Sequence, residues 1–398
     1  MDCKLSERML GLAPSATFAM AQKSADLAAS GVDVVSLSVG EPDFETPAHI
    51  CRAAYDAISS GWTKYSPVVG YASLRQAACS KLLRENGLSY EPSEIIIGNG
   101  AKQCICNAVM ALCGPGDEVI IPAPYWVSYP QMAKLAGAEP VFVSAPLEQG
   151  FKISPAQLAA ALTPRSRMLI LCSPCNPSGA VYSRAELEGL AEVIKGHDRL
   201  IVLSDEIYEH INYVGGHASI ASLPGMRERT VVVNGVSKAY AMTGWRIGCM
   251  AAPRWISDAC NKLQGQYTSG PSSISQKAAE AAWNGPQECV EEMRLSFLKR
   301  RNLLVSLLRD ITGLEVNEPE GAFYLLPRVS SFFGKSAAGR LIRSGDDLAM
   351  YLLEVGHVAT VGGDSFGAPD CIRLSYATSE SAIREAARRL KSALAELR

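Results

Sequence analysis

Seven short runs rich in Val, Ile and Leu recur between residues 94 and 251 with helical patterns among them, and this alternation restricts the fold more than any other feature of the chain. The runs are Glu94–Ile97, Glu118–Ile121, Pro140–Val143, Arg167–Leu171, Leu200–Leu203, Thr230–Val233 and Trp245–Ala251. Several are apolar at consecutive positions. A strand of that kind has no face fit for water, so it belongs in a sheet covered on both sides. Helical patterns at Ala101–Leu112, Ser183–Lys195 and Arg254–Leu263 provide such covers. Strand and helix alternating over about 200 residues predict an α/β domain with a largely parallel sheet.

The pattern changes near Gly285-Pro286. Before it, Ser275–Trp283 reads as a helix. After it, Val290, Met293, Phe297, Leu304 and Leu308 recur at helical spacing in a long amphipathic segment. A strand pattern follows at Gly321–Leu326, then a helix at Asp346–Val355 and strands at His357–Val361 and Cys371–Ala377. The last helix places Ile383, Ala387, Leu390, Leu394 and Leu397 on one face, with Ser379 as its cap. This predicts a smaller α+β domain. The first 45 or so residues have no room in the central sheet and are expected to join it. The expected division is a large domain over 48–285 and a small domain from 1–47 with 286–398.

Composition excludes several classes. A chain of 398 residues with 48% hydrophobic content buries a large core without staples and is not globally disordered. A net charge of −2 gives no electrostatic case for nucleic acid or an anionic membrane. No apolar run approaches the roughly 18 residues of a membrane helix. The start, Met1-Asp2-Cys3-Lys4-Leu5-Ser6-Glu7-Arg8, mixes charge signs and leads into no apolar stretch, so no targeting signal is expected. The 12 cysteines are dispersed through a long chain, which favours reduced thiols and a cytoplasmic location.

Chemistry-bearing residues cluster where strands end. Val231–Val233 runs into Asn234-Gly235-Val236-Ser237-Lys238, with Arg246 eight residues on. A lysine just past a buried strand can lose hydration and become a Schiff-base nucleophile, and Ser237 and Arg246 suit a phosphate. On spacing alone, a lysine on a surface loop is the favoured reading. Asp205 follows Leu200–Leu203, where α/β proteins place ligand groups, with Tyr208 beside it. An N-cap aspartate would give the same pattern. Gly98-Asn99-Gly100-Ala101-Lys102 joins a strand to a helix, a turn in which the backbone can approach a phosphate, although P-loop and dinucleotide spacings are absent. Asn176 lies in the proline-braced turn Ser173-Pro174-Cys175-Asn176-Pro177-Ser178-Gly179, and Trp126 offers an aromatic face. Arg373, in an apolar strand, requires an anionic partner. Cys172 and Cys175 have redox spacing without a second cysteine pair. The five histidines show no metal-ligand spacing, and no metal is expected.

Together these loops resemble the class I and II aminotransferases of fold type I, which use pyridoxal 5′-phosphate (PLP). The resemblance spans almost the whole chain: Ser38-Val39-Gly40-Glu41-Pro42-Asp43-Phe44, Tyr65-Ser66-Pro67, Pro124-Tyr125-Trp126-Val127-Ser128-Tyr129, Asn176-Pro177-Ser178-Gly179, Ser204-Asp205-Glu206-Ile207-Tyr208, Ser237-Lys238 with Gly244-Trp245-Arg246, and Arg373-Leu374-Ser375-Tyr376. Within that family it is most similar to the bacterial aspartate aminotransferase subgroup, on Pro14-Ser15-Ala16-Thr17 and the Gly100-Ala101-Lys102 turn. The resemblance implies a mainly parallel seven-stranded sheet flanked by helices, a smaller α+β domain, and a homodimer with shared active sites.

It also implies roles. Lys238 would hold PLP as a Schiff base and move the proton, Asp205 would pair with the pyridine nitrogen, and Tyr208 and Asn176 would bond the phenolic oxygen. Trp126 would stack on the ring. Gly100, Ala101, Lys102, Ser237 and Arg246 would cradle the phosphate, which Tyr65 would reach from the neighbouring subunit. Arg373, with Asn176 and the Gly40 backbone, would clamp the substrate α-carboxylate, next to Trp126. Lys102, Ser15 and Thr17 match positions that bind a distal carboxylate, so the expected reaction moves the amino group of aspartate to 2-oxoglutarate. Ala13 stands where relatives that also act on prephenate tend to carry a basic residue, which lowers the expectation of that activity. The alternatives are an aromatic, alanine, prephenate or broad preference, or a PLP-dependent carbon–sulfur lyase of the same fold. A PLP-binding regulator would need a basic DNA-binding domain for which the chain has no room.

Overall fold

The computed structural model describes residues 5–398; the mixed-charge start at 1–4 lies outside them. The main sheet has seven strands: β1 (Ile95–Asn99), β2 (Glu118–Ala123), β3 (Glu139–Ser144), β4 (Ser166–Cys172), β5 (Ile201–Asp205), β6 (Thr230–Gly235) and β7 (Ile247–Ala251). Their order is β1-β7-β6-β5-β4-β2-β3. All neighbours pair in parallel except β7, which is antiparallel to both β1 and β6. The fold is α/β with a mainly parallel sheet, as the two-sided apolar runs require. Every residue of β5, β6 and β7 is buried. Each fully covered Val, Ile or Leu side chain contributes about 1.5–3 kcal/mol, so these central strands anchor the fold and are rigid platforms for the loops at their ends.

Two of the helices meet expectation closely. Ala101–Leu112 has the expected bounds. Arg184–Lys195 starts after Ser183, whose hydroxyl accepts from the Glu186 N–H while the Glu186 carboxylate accepts from the Ser183 N–H, a reciprocal cap. The last helix, Glu380–Ala395, is capped by Ser379 as expected, and Leu397 falls just beyond its end. It packs on the long helix Glu288–Arg309 over a core that includes Phe297, Leu304, Leu308, Ile383 and Leu390.

Four strand expectations are corrected. Trp245 and Arg246 stand outside β7, because Arg246 takes a left-handed backbone (φ 59°) that no strand accommodates. Gly321–Leu326 shortens to Tyr324–Leu325, since Ala322 is also left-handed (φ 55°). His357–Val361 divides into Val358–Ala359, parallel to Val35–Ser36, and Val361–Gly362, antiparallel to Ile372–Ser375. The strand expected at Cys371–Ala377 is Ile372–Ser375, which also pairs with Tyr324–Leu325. The Val35–Ser36 pairing ties the N-terminal segment to strands of the C-terminal part. No helix among the described residues is long and apolar enough to cross a membrane.

Candidate active site

A cavity of about 620 Å³ opens where β4, β5 and β6 end, against the N-terminus of Ala101–Leu112. Ser15, Thr17, Gly40, Ala101, Lys102, Trp126, Asn176, Asp205, Tyr208, Ser237, Lys238, Arg246 and Arg373 all line it. Residues separated by more than 350 positions in the sequence thus meet in one cleft. Gly100 adjoins this cavity through Arg246: a Cβ at Gly100, where φ is 78°, would collide with that guanidinium. Tyr65 lies outside the cleft and is 98% exposed.

Asp205 ends β5 and pairs in register with Cys172 of β4 and Val233 of β6, so rigid neighbours aim it on both sides. Its Oδ2 accepts from the Tyr129 hydroxyl at 2.7 Å and its Oδ1 from the Ile207 N–H at 3.3 Å. Burial dominates its titration and pushes the carboxyl up to about 6, although both hydrogen bonds favour the charged form. A buried carboxylate without a cation touching it is suited to a ligand that brings a positive N–H.

Lys238 follows β6 in a turn closed by Met242 N–H donating to the Ser237 carbonyl at 3.1 Å. The turn is tied to the N-terminal segment: Trp245 Nε1 donates to Thr46 Oγ1, which donates to the Ala241 carbonyl. The Lys238 Nζ donates to the Gly40 carbonyl at 2.7 Å. Burial lowers its amine to about 8; Arg246 and Arg373 push the same way, and Glu41 and Asp205 oppose. Burial also lowers Lys102, with Arg246 adding to it. The Lys102 ammonium lies 4.8 Å from the centre of the Trp126 ring.

One end of the cleft is lined by the start of a helix and by Arg246. The helix Ala101–Leu112 begins at Gly100 with no side-chain cap, which leaves first-turn N–H groups for an anion. A Cβ on Gly248 of β7 would run into the Ala101 amide, so the backbones approach there as only glycine permits. Arg246 faces this point from its left-handed position, held by the Thr243 and Asn99 carbonyls at 2.9 and 3.3 Å. Such strain is found where a site dictates the backbone.

Arg373 is 1% exposed and sandwiched against the rings of Tyr324 and Phe366, 4.5 and 4.9 Å from their centres. Nη1 donates to Asn176 Oδ1 at 3.0 Å and Nη2 to the Ser38 carbonyl at 2.7 Å, while Nε has no partner. The Tyr208 and Tyr324 hydroxyls share a hydrogen bond of 2.8 Å. Among the described residues, Lys102, Lys238, Arg246 and Arg373 form no ion pair. Four cationic side chains face a cleft whose acidic lining is Glu41 and Asp205. The donor set therefore fits a phosphorylated, carbonyl-bearing heterocycle together with a carboxylate ligand.

Sequence reasoning missed Tyr129 as the partner of Asp205, because a tyrosine inside a helical pattern reads as packing. It also missed a charged group behind the site, in which the buried Lys81, Glu206 and Glu209 meet the half-buried His210 and His217 and the exposed Glu85. Cys172 lines the cleft and both Cys172 and Cys175 are free thiols.

The family model for aminotransferase class I and II matches residues 32–390. The bifunctional aspartate aminotransferase and glutamate/aspartate-prephenate aminotransferase of Petunia hybrida is 50% identical over 403 aligned positions, covering 100% of this chain and 84% of its own. The crystal structure of the aspartate aminotransferase of Rhizobium meliloti superposes with a TM-score of 0.96 at 44% identity, covering 99% of this chain and 100% of its own. The aspartate aminotransferase of Thermus thermophilus with maleate gives 0.92 at 42% identity, covering 98% and 99%.

Proposed function

The chain belongs to the class I and II aminotransferase family, and we propose that it uses PLP to move the amino group of an L-amino acid, aspartate foremost, to 2-oxoglutarate in two half-reactions. The observation that carries this reading is that a desolvated lysine, Lys238, and a buried carboxylate, Asp205, line one cleft together with three further cations that form no ion pair. PLP, when bound, supplies an electron sink for the charge that develops at the substrate's Cα.

The rest of the chemistry belongs to the chain's own groups. Lys238 would hold the cofactor covalently, and its freed amine would take the proton from the substrate's Cα. Its lowered basicity leaves roughly a tenth of the amine neutral at pH 7, far more than an ordinary lysine would have. Asp205 would hold a protonated ring nitrogen, with Tyr129 fixing the carboxylate's orientation. The Tyr208 hydroxyl and the amide Nδ2 of Asn176 would face the phenolic oxygen; Asn176 Oδ1 already serves Arg373. Trp126 would cover the ring. Gly100, Ala101, Lys102, Ser237 and Arg246 would hold the phosphate. Arg373 would fork onto the substrate α-carboxylate beside Gly40, which fixes which Cα bond stands perpendicular to the ring.

Lys102, Ser15 and Thr17 rim the cleft, and the buried Thr17 hydroxyl has no partner. These groups suit a distal carboxylate, and the Thermus relative was solved with a dicarboxylate, maleate. A second reading, prephenate as a further amino acceptor, is favoured by the name of the petunia relative.

The reading extends to the assembly. Tyr65, fully exposed on one chain, would complete the phosphate site of a second copy, making a homodimer with shared sites. Each subunit would divide into a large domain over 48–285 and a small one from 1–47 with 286–398. A reducing, cytoplasmic location fits the described cysteines, all free thiols.

Two experiments test this. Lys238→Ala should lose the borohydride-trapped PLP adduct and nearly all transamination; covalent trapping by the variant would refute the role of Lys238. A panel of amino donors with 2-oxoglutarate, and of acceptors including prephenate, should rank aspartate first among donors. A preference for phenylalanine or alanine would overturn the aspartate assignment. Ammonia release from cysteine conjugates would favour the lyase.

A further inference from the structure

The turn that carries Asp205 and Tyr208 into the cleft carries two other side chains, Glu206 and Glu209, the opposite way. Both carboxylates are buried, at 1% and 6% exposure. Glu206 accepts from the Ser204 hydroxyl at 2.8 Å, the Ser219 hydroxyl at 2.7 Å and His217 Nε2 at 2.9 Å. Glu209 accepts from Lys81 and from Asn86 Nδ2, both on the helix Ala72–Asn86. The backbone agrees: the Glu206 N–H donates to the Val233 carbonyl of β6, and the Glu209 N–H to the Glu206 carbonyl. Glu206 is therefore fixed by two backbone and three side-chain bonds, one residue from Asp205 and two from Tyr208.

We propose that Glu206 is a positioning residue for the reaction, holding the Asp205–Tyr208 turn against the cleft from its far side with His217 as its counter-charge. The inference rests on the aminotransferase reading above. A carboxylate is costly to bury, and a hydrophobic side chain would fill the same space without that penalty. What a carboxylate adds is direction: three donors converging on two oxygens fix the chain that bears them. Ion pairing alone leaves the cluster partly compensated, since Lys81 already serves Glu209 and Glu85. His217 is the basic side chain that Glu206 has to itself at hydrogen-bonding distance, and it is 7% exposed. The titratable groups facing this pair are Glu209 and His210 from the turn, and Lys81 and Glu85 from the helix. Asp205 and Tyr90 also feel the charge of Glu206, and Cys249 that of Lys81 and Glu209. Burial opposes a charge on His217, but Glu206 and Glu209 outweigh it and raise its basicity.

The test compares the wild-type holoenzyme with Glu206→Gln and, independently, His217→Gln. Gln keeps the shape of Glu206 and removes its charge, and at His217 it removes the ring's basicity while keeping an N–H donor. A positioning role predicts that Glu206→Gln lowers kcat about tenfold while the KM for aspartate stays within about twofold, because Arg373 stands on other elements. It also predicts that the Kd of the apo-protein for PLP, read by fluorescence quenching, rises about tenfold, with a shifted pH midpoint in the absorbance of the Lys238-bound cofactor. His217→Gln should move the same three readouts in the same direction, less far. A drop in melting temperature with unchanged kcat, PLP affinity and spectral midpoint would make the cluster merely structural and overturn the proposal. Should Glu206→Gln fail to fold, unchanged readouts in His217→Gln overturn it equally. A wild-type protein that neither binds PLP nor transaminates would refute the underlying reading as well, and is thereby distinguished from failure in the variants alone.

Discussion

Arg373 donates through Nη1 to Asn176 Oδ1 at 3.0 Å, joining a strand of the C-terminal part to the loop after β4 across 197 positions of sequence. The bond fixes the guanidinium plane between two aromatic rings and leaves Nε without a partner in a buried site. An arginine so placed is prepared for a ligand and costs stability until one arrives.

Arg373→Lys keeps the charge and loses the fork. It should lower kcat/KM for amino donors by about 10²–10³-fold, mostly through KM. Affinity for PLP should change little, since Asp205, Arg246 and Lys238 are untouched and the positive charge that helps depress Lys238 remains. Steady-state kinetics with aspartate, alongside equilibrium PLP binding, separates the two effects.

Tyr129→Phe removes the hydroxyl that favours ionised Asp205. Removing a bond to a charged group should raise the Asp205 carboxyl by about one unit from its value near 6. The sign for stability follows from the raised value. The contribution of Asp205 is fully present below its ordinary 3.8 and is lost as pH rises through about 6. Apo-protein melting temperature should therefore fall across that window, and the fall should extend to higher pH in Tyr129→Phe. PLP binding by the variant should weaken on the acid side at a higher pH than in the wild type.

Capture of PLP by the apo-protein requires a neutral Lys238 amine. Reductive trapping rates should rise with pH to half their maximum near 8, where an ordinary lysine would need about 10.5. A folded value below the unfolded one means that stability from this group is present above 10.5 and lost as pH falls through about 8. Glu41 is the largest influence holding the amine up, so Glu41→Gln should move the capture midpoint lower still. A midpoint near that of free lysine would exclude desolvation as the cause.

What was legible in the sequence divides by range of interaction. The β4, β5 and β6 runs announced themselves because strands buried on both faces admit few polar residues, and the bounds of Ala101–Leu112 followed from the glycine before it and the apolar spacing within it. Lys238, Asp205, Asn176 and Arg373 were legible because each stands in or beside an apolar strand or its end. Tyr129 and the Lys81–Glu209 pair were not, because nothing in their own neighbourhoods signals a partner 76 or 128 positions away. Arg246 was placed inside a strand because local propensity cannot register its left-handed backbone, with a guanidinium held by the distant Asn99 carbonyl as well as by Thr243. The helix Ala16–Ala29 has only Met20 and Ser24 buried, too faint an apolar stripe to stand out.

Gly248 offers the most local test of the phosphate cradle. It pairs with Gly98 of β1 and Gly235 of β6, and a Cβ there would meet the Ala101 amide and the Gly100 carbonyl carbon. Both contacts are backbone, so no side chain can swing aside, and the start of the helix Ala101–Leu112 must retreat. Overpacking of this kind costs about 1–3 kcal/mol, which should appear as a lower melting temperature of the Gly248→Ala apo-protein. The retreat would also spoil the first-turn N–H groups as phosphate ligands while leaving Lys238 and Asp205 in place. Affinity should therefore fall by about tenfold or more for PLP but by much less for pyridoxal, which lacks the phosphate. Equal losses for the two ligands would show that the glycine serves folding alone and that the cradle lies elsewhere.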